Sequence, residues 1–393
     1  MHSGLEIAMV AACPFPASFA SSGLIRELSL ALSKKGHRIH VVTYHLGDSN
    51  FDVGDLIIHR IPPISLYKKR TSGISMGKPF LDMLLVAKLV RVLNKYPIQI
   101  IHAHNYEAPI AAYIARKIRR VPVIYHAHNT MYHELPTYFK RPFAKHFADR
   151  IGKILDRSIP KRADHIIAVS TQLQHHLRAL QIPDEKITLL SPSIYSDCFE
   201  NSNSSVIRKR LGLKREPIII YTGGLQPYQN CSILIPLLRH VIKEIPDIHL
   251  LILARSEPES LQNLAAEAGI HDRIHFLLGS GLDFERDCLS AANIAVIPRQ
   301  YCIGFPVKIL NYFAARKPVV CFEGLIDEFH HGVELMKVPS NDVKSMGAAV
   351  IELIREPKKA ETLALNGYQA VSKRHRWDNA VNTVEDIYFR YLS

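Results

Sequence analysis

The chain has 393 residues, of which 47% are hydrophobic, so it contains more apolar material than one domain of ordinary size needs. Its 49 Lys and Arg against 36 Asp and Glu leave a formal net charge of +13, which favours phosphate groups, nucleic acid or an anionic membrane as partners. The six cysteines stand singly, without a CxxC pair, which argues against a disulfide framework and a cysteine-based metal site. These features predict a multidomain globular protein of the cytoplasm with reduced cysteines.

The beginning of the chain is an apolar, strand-like run, LEIAMVAAC, with no basic segment before it, so no signal peptide is predicted. The longest helical apolar stretch, PFLDMLLVAKLVRVL, contains Asp82, Lys88 and Arg91, and these charges prevent it from crossing a bilayer unaided. We therefore expect any membrane contact to be peripheral, at the inner face of the membrane.

Short β-branched runs alternate with amphipathic helical segments through the first half of the chain. The predicted strands are IAMVAAC, RIHVVTY, IQIIHAH, VPVIYHAH and HIIAVS. The helices between them are GLIRELSLALSKKG, a segment around 79–95, APIAAYIARKIRR and a long basic helix. Near-continuous apolar strands separated by helices are typical of a doubly wound parallel sheet that is buried on both faces. Residues 1–195 are predicted to form this first α/β domain.

A polar stretch, SDCFENSNSSVIRKRLGLKREP, interrupts the alternation and predicts a linker at residues 196–215. The alternation then resumes with the strands PIIIYTGG, HLLILA, RIHFLLG, NIAVIP and KPVVCF, which predict a second α/β domain at residues 216–375. We expect a cleft facing the carboxyl ends of both sets of strands, where open α/β sheets bind ligands. Residues 376–393 are predicted to form a final helix that crosses back to the first domain.

Several motifs follow one another in a characteristic order. They are PFPASFASSGLIRELSLALSKKGHRIHVVT, IIHAHN, PVIYHAHN, ADHIIAVS, YTGGLQPYQN, the turn IPRQYCIGFPVKILNYFAARKPVV and the helix that starts at Trp377. Together they resemble the family 4 retaining glycosyltransferases, which have the GT-B fold of two Rossmann-like domains. The resemblance covers nearly the whole chain. It implies sugar transfer from a nucleotide-diphosphate donor to an acceptor hydroxyl with retention, an acceptor-side first domain and a donor-binding second domain. We expect no metal ion or other cofactor, since no carboxylate pair with metal-ligand spacing stands at the predicted phosphate site.

Strand ends in the first domain carry five candidate site residues. Ser22 and Gly23 stand where the first strand turns into a helix, and free amide groups at such a place suit an anion; an ordinary N-cap is the alternative. The motif HAHN occurs twice at strand ends. The resemblance implies that His128 meets the transferred sugar, and that His104 and Asn105 are acceptor-side or supporting groups. A hydrogen-bonded structural histidine is the alternative interpretation.

The second domain departs from the family pattern at the usual donor contacts. In the loop after its first strand, an Arg and a Lys usually clamp the diphosphate, but this chain has Gly224 and Gln229 in those places. At the later strand-to-helix turn, two glutamates usually stand eight positions apart, and here these places hold Ile303 and Asn311. The resemblance therefore leaves four donor contacts to be replaced.

Arg299 and Lys308 flank the turn that contains Gly304, and we expect them to supply the missing positive charge. A buried diphosphate needs compensating cations or amide donors, because the desolvation of an uncompensated charge is costly. A subgroup of the family combines a YTG…YQ loop with a PR…PxK turn, and the chain resembles that subgroup. The resemblance implies backbone contacts near Gly223 and a ribose contact from Asn311. Solvated loop cations are the alternative interpretation of the two basic residues.

Residues 140–162, KRPFAKHFADRIGKILDRSIPKR, combine an apolar stripe with a basic polar face at helical spacing. This pattern predicts adsorption to an anionic membrane surface. The family resemblance implies a glycan or lipid-linked acceptor, because members that act on lipid-linked acceptors often use the corresponding helix at the membrane. A surface helix that packs its stripe on its own sheet is the alternative.

Three classes of function remain at this point. The first is an active glycosyltransferase, and the second is a catalytically inactive GT-B binding or scaffold protein, which the missing glutamates would allow. Nucleic-acid binding is disfavoured because the basic residues are dispersed over helices without interleaved aromatic residues. We therefore expect no nucleic-acid partner.

Overall fold

The computed structural model describes residues 4–17, 19–65, 67–68, 75, 77–200, 202–279 and 281–392. The chain divides into two compact units. The first consists of Met1–Pro192 together with Trp377–Ser393, and the second consists of Ser193–Arg376.

Each unit is built on a parallel β-sheet. The strands of the first unit are β1 Glu6–Ala11, β2 Arg38–Thr43, β3 Ile57–Arg60, β4 Ile100–His104, β5 Val123–Ala127, β6 His165–Ala168 and β7 Ile187–Leu189. Those of the second are β8 Ile218–Gly223, β9 His249–Ala254, β10 Ile274–Leu278, β11 Ile294–Ile297, β12 Val319–Phe322 and β13 Met336–Val338. The strand orders are β3-β2-β1-β4-β5-β6-β7 and β10-β9-β8-β11-β12-β13. The paired strands run parallel, which confirms the predicted fold class of two doubly wound, Rossmann-like domains.

Helices connect successive strands on both faces of the sheets. They are α1 Ala20–Lys34, α2 Lys78–Lys95, α3 Glu107–Ala115, α4 Met131–Glu134, α5 Pro142–Ser158, α6 Thr171–Ala179, α7 Ser204–Leu211, α8 Leu234–Ile242, α9 Glu259–Glu267, α10 Leu282–Ala291, α11 Lys308–Ala314, α12 Val343–Arg355, α13 Pro357–Arg374 and α14 Trp377–Arg390. Strands β1, β4 and β9 are almost entirely buried, as expected for strands that helices cover on both faces, and this explains their continuous apolar sequences.

The chain enters each sheet at a central strand and then changes direction. In the first unit β1 lies between β2 and β4, and in the second unit β8 lies between β9 and β11. Such a switch point opens a crevice outside the carboxyl ends of the strands, where α/β sheets bind their ligands. The predicted site residues follow β1, β4 and β5 in one unit and β8 and β11 in the other, so they lie at these two edges.

The last helix, α14, completes the core of the first unit. Its buried face, including Trp377, Val384 and Tyr388, packs in one apolar cluster with Met9 of β1 and Ile25 of α1. The Tyr388 hydroxyl lies 2.5 Å from His102 Nδ1. The amphipathic pattern of this segment thus corresponds to a packing face against the first sheet.

The segment 196–215, predicted as a linker, contains ordered structure that belongs to the second unit. Ser196–Phe199 forms a 3-10 turn, and α7 follows. Ile207 on α7 is buried, and Arg208 donates hydrogen bonds to the carbonyl oxygens of Glu216 and Ala291. The polar composition of this segment belongs to a short helix with one buried face. Composition alone does not distinguish such a helix from a flexible linker.

Candidate functional site

A pocket opens at the carboxyl ends of the strands in the second unit. It is lined by Thr222, Gly223, Leu253, Arg255, Gly279, Gly281 and Glu285. These residues come from the ends of β8 and β9, the segment after β10 and the first turn of α10. Among them, only Gly223 was a candidate from the sequence.

Gly223 ends β8 with a backbone conformation that favours glycine, since its φ is +123°. A Cβ at this position would lie 3.2 Å from the ammonium nitrogen of Lys308. The absence of a side chain therefore lets Lys308 approach the end of β8, and two of the predicted donor-binding residues come together.

The ammonium group of Lys308 is held between two groups of the β8 region. It lies 3.9 Å from the centroid of the Tyr221 ring and donates a hydrogen bond of 3.2 Å to Gln229 Oε1. Gln229, in the place where the family usually has a lysine, thus positions a lysine that comes from α11. The amide gives the ammonium an acceptor without neutralising its charge.

Lys308 is half-buried along its length, and the charged end is the desolvated part. Burial is the main cause that lowers the pKa of Lys308 to about 7; Cys231 acts in the opposite direction, and the positive charges of Arg255 and Arg299 add to the lowering. An anionic ligand would reverse this effect, because it favours the protonated lysine. The site formed by Lys308, Arg255 and Arg299 is therefore stabilised when it binds an anion.

Arg299 lies beside the same loop after β8. Its guanidinium carbon is 4.9 Å from the centroid of the Tyr228 ring, and its Nε donates to the Tyr301 carbonyl at 2.8 Å. Gly224, the other glycine of this loop, accepts a hydrogen bond from the Tyr221 hydroxyl at 2.6 Å. These contacts fix the β8 loop and the β11 turn against each other.

The two positions at which the family usually has glutamates, Ile303 and Asn311, differ in the kind of contact that their side chains make. Gly304 and Ile303 are buried in the turn before α11, so an apolar side chain fills the first position. Asn311, at the second position, donates a hydrogen bond of 3.1 Å to Glu285 Oε1. The same oxygen accepts a hydrogen bond of 2.8 Å from Thr222 Oγ1. A carboxylate is therefore present in the pocket, supplied by α10.

Arg255 and Glu285 were not among the candidate residues predicted from the sequence. Arg255 directly follows β9, and its guanidinium lies 4.0 Å from Glu285 Oε2. The position of Arg255 immediately after a buried strand is the signal that could have identified it, because such positions lie at the ligand-binding edge. Glu285 stands in the first turn of an amphipathic helix, where an acidic residue is ordinarily solvated.

In the first unit, the two predicted histidines lie side by side at the ends of β4 and β5. His104 Nδ1 is 3.0 Å from His128 Nε2, and His104 Nε2 is 2.8 Å from Met9 Sδ. Burial lowers the pKa of His128 to about 4, and burial with the neighbouring histidines lowers the pKa of His104 well below its usual value. Both imidazoles are therefore neutral at physiological pH. His104 is buried and His128 is partly buried, so His128 is the more accessible of the two to a ligand.

A second pair of histidines extends this cluster beneath α14. His102 Nε2 lies 3.1 Å from His126 Nδ1, and burial lowers the pKa of both groups. The ring nitrogens of His102, His104 and His126 lie within 4.8 Å of one another, and neutral imidazoles of this kind can hold a metal ion. Each of the three rings already has a hydrogen-bond partner, so a metal ion would have to replace those contacts.

The loop after β1 holds the remaining first-unit candidates. Ser22 is buried in the first turn of α1, and its Oγ accepts a hydrogen bond of 2.9 Å from the Ala17 amide. Phe19 occupies the N-cap position, so Ser22 is not an ordinary N-cap. A Cβ on Gly23 would meet nothing within 4 Å, which leaves open space beside this turn. Asn105, after β4, adopts a positive φ of 63°.

The basic segment 140–162 contains α5 and a 3-10 turn, and part of its apolar stripe is exposed, whereas Ile159 is buried. The side chains of Phe143, Phe147 and Ile154 are 83%, 60% and 64% exposed. The buried face instead consists of Ala148, Gly152 and Asp156. The alternative of a stripe packed on the domain's own sheet is therefore wrong for these three residues.

Within the described part of the chain, no helix combines the length and the hydropathy that a membrane-spanning segment requires.

Comparisons with known proteins agree with this architecture. Residues 23–197 match the model of Glycosyltransferase Family 4, and residues 203–370 match that of Glycosyl transferases group 1. The chain is 22% identical over 307 residues to a D-inositol 3-phosphate glycosyltransferase of Thermobispora bispora, covering 75% of this chain and 71% of that protein. It is 23% identical over 301 residues to an alpha-D-kanosaminyltransferase of Streptomyces kanamyceticus, covering 73% and 76%.

Solved structures share the fold over almost the entire chain. Sucrose-phosphate synthase from Thermosynechococcus elongatus superposes with a TM-score of 0.80 at 19% identity, with 99% of each chain covered. Anabaena HepE in complex with UDP and glucose superposes with a TM-score of 0.77 at 17% identity, covering 98% of this chain and 99% of that one. These similarities confirm the predicted GT-B fold.

Proposed function

We propose that this chain, which belongs to the glycosyltransferases of the family 4 type, moves a sugar from a nucleotide-diphosphate donor to an acceptor hydroxyl. The observation that carries the proposal is the arrangement of Lys308 in the second unit. Its ammonium lies against Gly223 and Gln229 at the switch point of the sheet, with the cations Arg255 and Arg299 near enough to lower its pKa. A diphosphate is the ligand that compensates such a group of charges.

The nucleotide sugar as donor is supported by a structural relative. Anabaena HepE has the same fold, and it has been solved with UDP and with UDP-glucose. In this chain, Gly223, Gly224, Gln229, Arg299, Gly304, Lys308 and Asn311 are the proposed donor-binding residues. Because positive charge at this edge comes from side chains, we propose that transfer does not need a divalent metal ion. Undiminished activity in the presence of EDTA is the expected result.

His128 is the proposed catalytic residue, facing the transferred sugar. Its neutral imidazole is hydrogen-bonded to His104. The imidazole can form a hydrogen bond with a sugar hydroxyl or with a polar group around the reacting carbon. Ser22, Gly23 and Asn105 are proposed for the acceptor side, with Ser22 acting through the loop that it holds. Retention follows from the family resemblance, and NMR of the anomeric configuration of the product tests it.

The acceptor is proposed to be a glycan or lipid-linked precursor at an anionic membrane surface. The exposed stripe of Phe143, Phe147 and Ile154 is flanked by basic residues along α5, including Lys145 and Arg150. Apolar side chains of this kind enter the headgroup region of a bilayer, and the basic residues are attracted to anionic lipids. The charge of the flanks therefore favours a membrane over a neutral protein partner.

Two measurements on the full-length protein test the proposed function. Isothermal titration with UDP, GDP and ADP tests the donor site, and incubation with the corresponding nucleotide sugars tests turnover through release of the nucleoside diphosphate. Binding with turnover supports the enzyme. Binding without turnover, with every donor and with acceptor extracts, would favour the alternative of an inactive GT-B binding protein. Failure of all three nucleotides to bind would remove the donor site.

A further inference from the structure

We infer that Glu285 binds the ribose hydroxyls of the nucleotide, an inference that rests on the proposed function. Glu285 lines the pocket, and its side chain is only 12% exposed. Its Oε1 accepts hydrogen bonds from Thr222 and Asn311, which fix the orientation of the carboxylate. Its Oε2 lies at 4.0 Å from Arg255, beyond hydrogen-bond distance.

The chemistry of a carboxylate sets which part of a ligand can bind there. An ionised carboxylate only accepts hydrogen bonds, so it repels phosphate oxygens and attracts hydroxyl groups. Lys308, Arg255 and Arg299 give the rest of this edge a positive charge. A ligand that satisfies both parts carries an anionic group and, beside it, hydroxyl donors. A nucleoside diphosphate has this combination in its phosphates and its ribose.

The order of the groups along the sheet gives the direction of the ligand. Lys308 follows β11 and touches the end of β8, whereas Glu285 accepts a hydrogen bond from Thr222 of β8 and has its Oε2 4.0 Å from Arg255, which follows β9. Farther along the same edge, after β10, Gly281 has a φ of +124° and open space where a Cβ would stand. The nucleotide would therefore lie along this edge with its phosphates at Lys308, its ribose at Glu285 and its base near Gly281. This is the order in which the three parts are bonded.

Asn311 acquires a different role in this arrangement. The resemblance implied that it meets the ribose directly, but its amide nitrogen donates to Glu285. Asn311 is thus a positioning residue for the carboxylate. The acidic group that the family usually supplies from the helix after this turn comes here from α10.

The experiment compares ribonucleotides with their 2′-deoxy counterparts in three proteins. UDP, GDP and ADP, each paired with dUDP, dGDP and dADP, are titrated calorimetrically into the parent, Glu285→Gln and Asp283→Asn. Gln keeps an oxygen to accept from Thr222 and Asn311, so the fold is preserved, and thermal unfolding checks this. Asp283→Asn is the matched control, because it removes a carboxylate from the same helix at a side chain that is 87% exposed.

For the nucleotide that binds the parent, we expect loss of the 2′-hydroxyl to weaken binding at least tenfold in the parent and in Asp283→Asn. In Glu285→Gln this ratio should fall to about twofold, because the charged acceptor is gone. An unchanged ratio in Glu285→Gln would overturn the inference and leave the donor site standing. If none of the ribonucleotides binds the parent, the proposed function fails first, and the inference fails with it.

Discussion

Gly152 of α5 packs so closely on Tyr132 that a Cβ at residue 152 would stand 2.5 Å from the Tyr132 Cα. Glycine is unfavourable within a helix, and this contact explains its presence there. The helix buries Ala148, Gly152 and Asp156 and presents Phe143, Phe147 and Ile154 to solvent. The exposed apolar side chains do not gain the stabilisation that burial within the unit would give. Burial of these side chains against a surface outside the unit would supply that stabilisation.

Charge reversal on α5 should abolish binding to anionic vesicles. In the variant Lys145→Glu, Arg150→Glu and Lys153→Glu, each lost positive charge weakens adsorption by about 1 kcal/mol near the surface. Sedimentation with vesicles that contain phosphatidylserine measures this. Binding of the parent should also fall as salt rises through the physiological range, where the screening length is about 8 Å.

The matched control reverses three exposed lysines of the second unit, Lys209, Lys243 and Lys344, and so makes the same change in net charge. This control should still sediment with the vesicles. A parent protein that stays in the supernatant with anionic vesicles at low salt would end the membrane proposal, while the glycosyltransferase assignment would be unaffected.

Asp156 is expected to hold α5 and α4 together. Its two carboxylate oxygens accept hydrogen bonds from the amides of Met131 and Tyr132, and Oδ1 lies 2.6 Å from the Tyr106 hydroxyl. Asp156→Ala removes the acceptor that these three donors share and should reduce the free energy of unfolding by on the order of 3 kcal/mol. Urea denaturation measures the loss. Asp149→Ala removes only a partly exposed ion pair with Lys153, and a comparable loss there would contradict the role of Asp156.

Lys308→Ala should weaken the binding of nucleoside diphosphates but not that of nucleosides. One charge-assisted contact with phosphate contributes about 1.5–3 kcal/mol, so calorimetry should show roughly a tenfold to hundredfold loss for the diphosphate. Lys209→Ala, at an exposed position of the same unit, is the control. Equal affinities of Lys308→Ala and the parent for every diphosphate would remove Lys308 from the site.

The lowered pKa of Lys308 predicts a pH dependence of stability. In the folded protein the pKa is about 7, and its ordinary value is 10.5. Between these pH values the unfolded chain binds one more proton than the folded protein, so the free energy of unfolding rises with pH through this window. Lys308→Met has no such group. The difference by which the free energy of unfolding of Lys308→Met exceeds that of the parent should therefore decrease from pH 7 to pH 9.5. Chemical denaturation measures this difference.

Lys317 also has a lowered pKa, about 8, but it is present in both proteins and cancels in the difference. A difference between parent and Lys308→Met that stays constant over this range would mean that Lys308 keeps an ordinary pKa. The same titration repeated with a saturating nucleoside diphosphate should abolish the trend, because the phosphates favour the protonated lysine.

His128→Ala should leave nucleotide binding intact and reduce transfer. The residue lies in the first unit, and the proposed phosphate contacts lie in the second. Since the pKa of His128 is about 4, its protonation should not shape the pH dependence of transfer between pH 6 and 8. Turnover assays and calorimetry on the same preparation separate the two effects. Unchanged turnover would leave His128 as a structural partner of His104.

The fold was accessible from the sequence because both sheets follow from local patterns. Apolar runs such as IQIIHAH and HLLILA correspond to β4 and β9, and the amphipathic stripe of the last segment corresponds to the buried face of α14. These patterns repeat every few residues, so the strands and helices can be predicted without knowing which distant residues are in contact. The same holds for the edge of the sheet at which candidates lie, since parallel strands have their carboxyl ends on one side.

The composition of the pocket was not accessible in this way. Glu285, Asn311 and Thr222 are far apart in the sequence, and their hydrogen bonds depend on how α10, α11 and β8 pack. A pattern shows that α10 is amphipathic, but it does not show which polar side chain at the edge of the buried face turns inward. Asp156 illustrates the same limit, because it stands among the charged residues of a basic helix and is nevertheless buried.

The place of α14 in the first unit affects the order in which the protein can fold during its synthesis. The strands and helices of the second unit are all made before α14, so the first unit lacks the helix that carries Tyr388 until the second unit has been synthesised. Until then, the sheet face with Met9, His102 and His126 has no cover from α14. The first unit is therefore completed only after the second has been made, and its sheet needs protection from aggregation while the second unit is being synthesised.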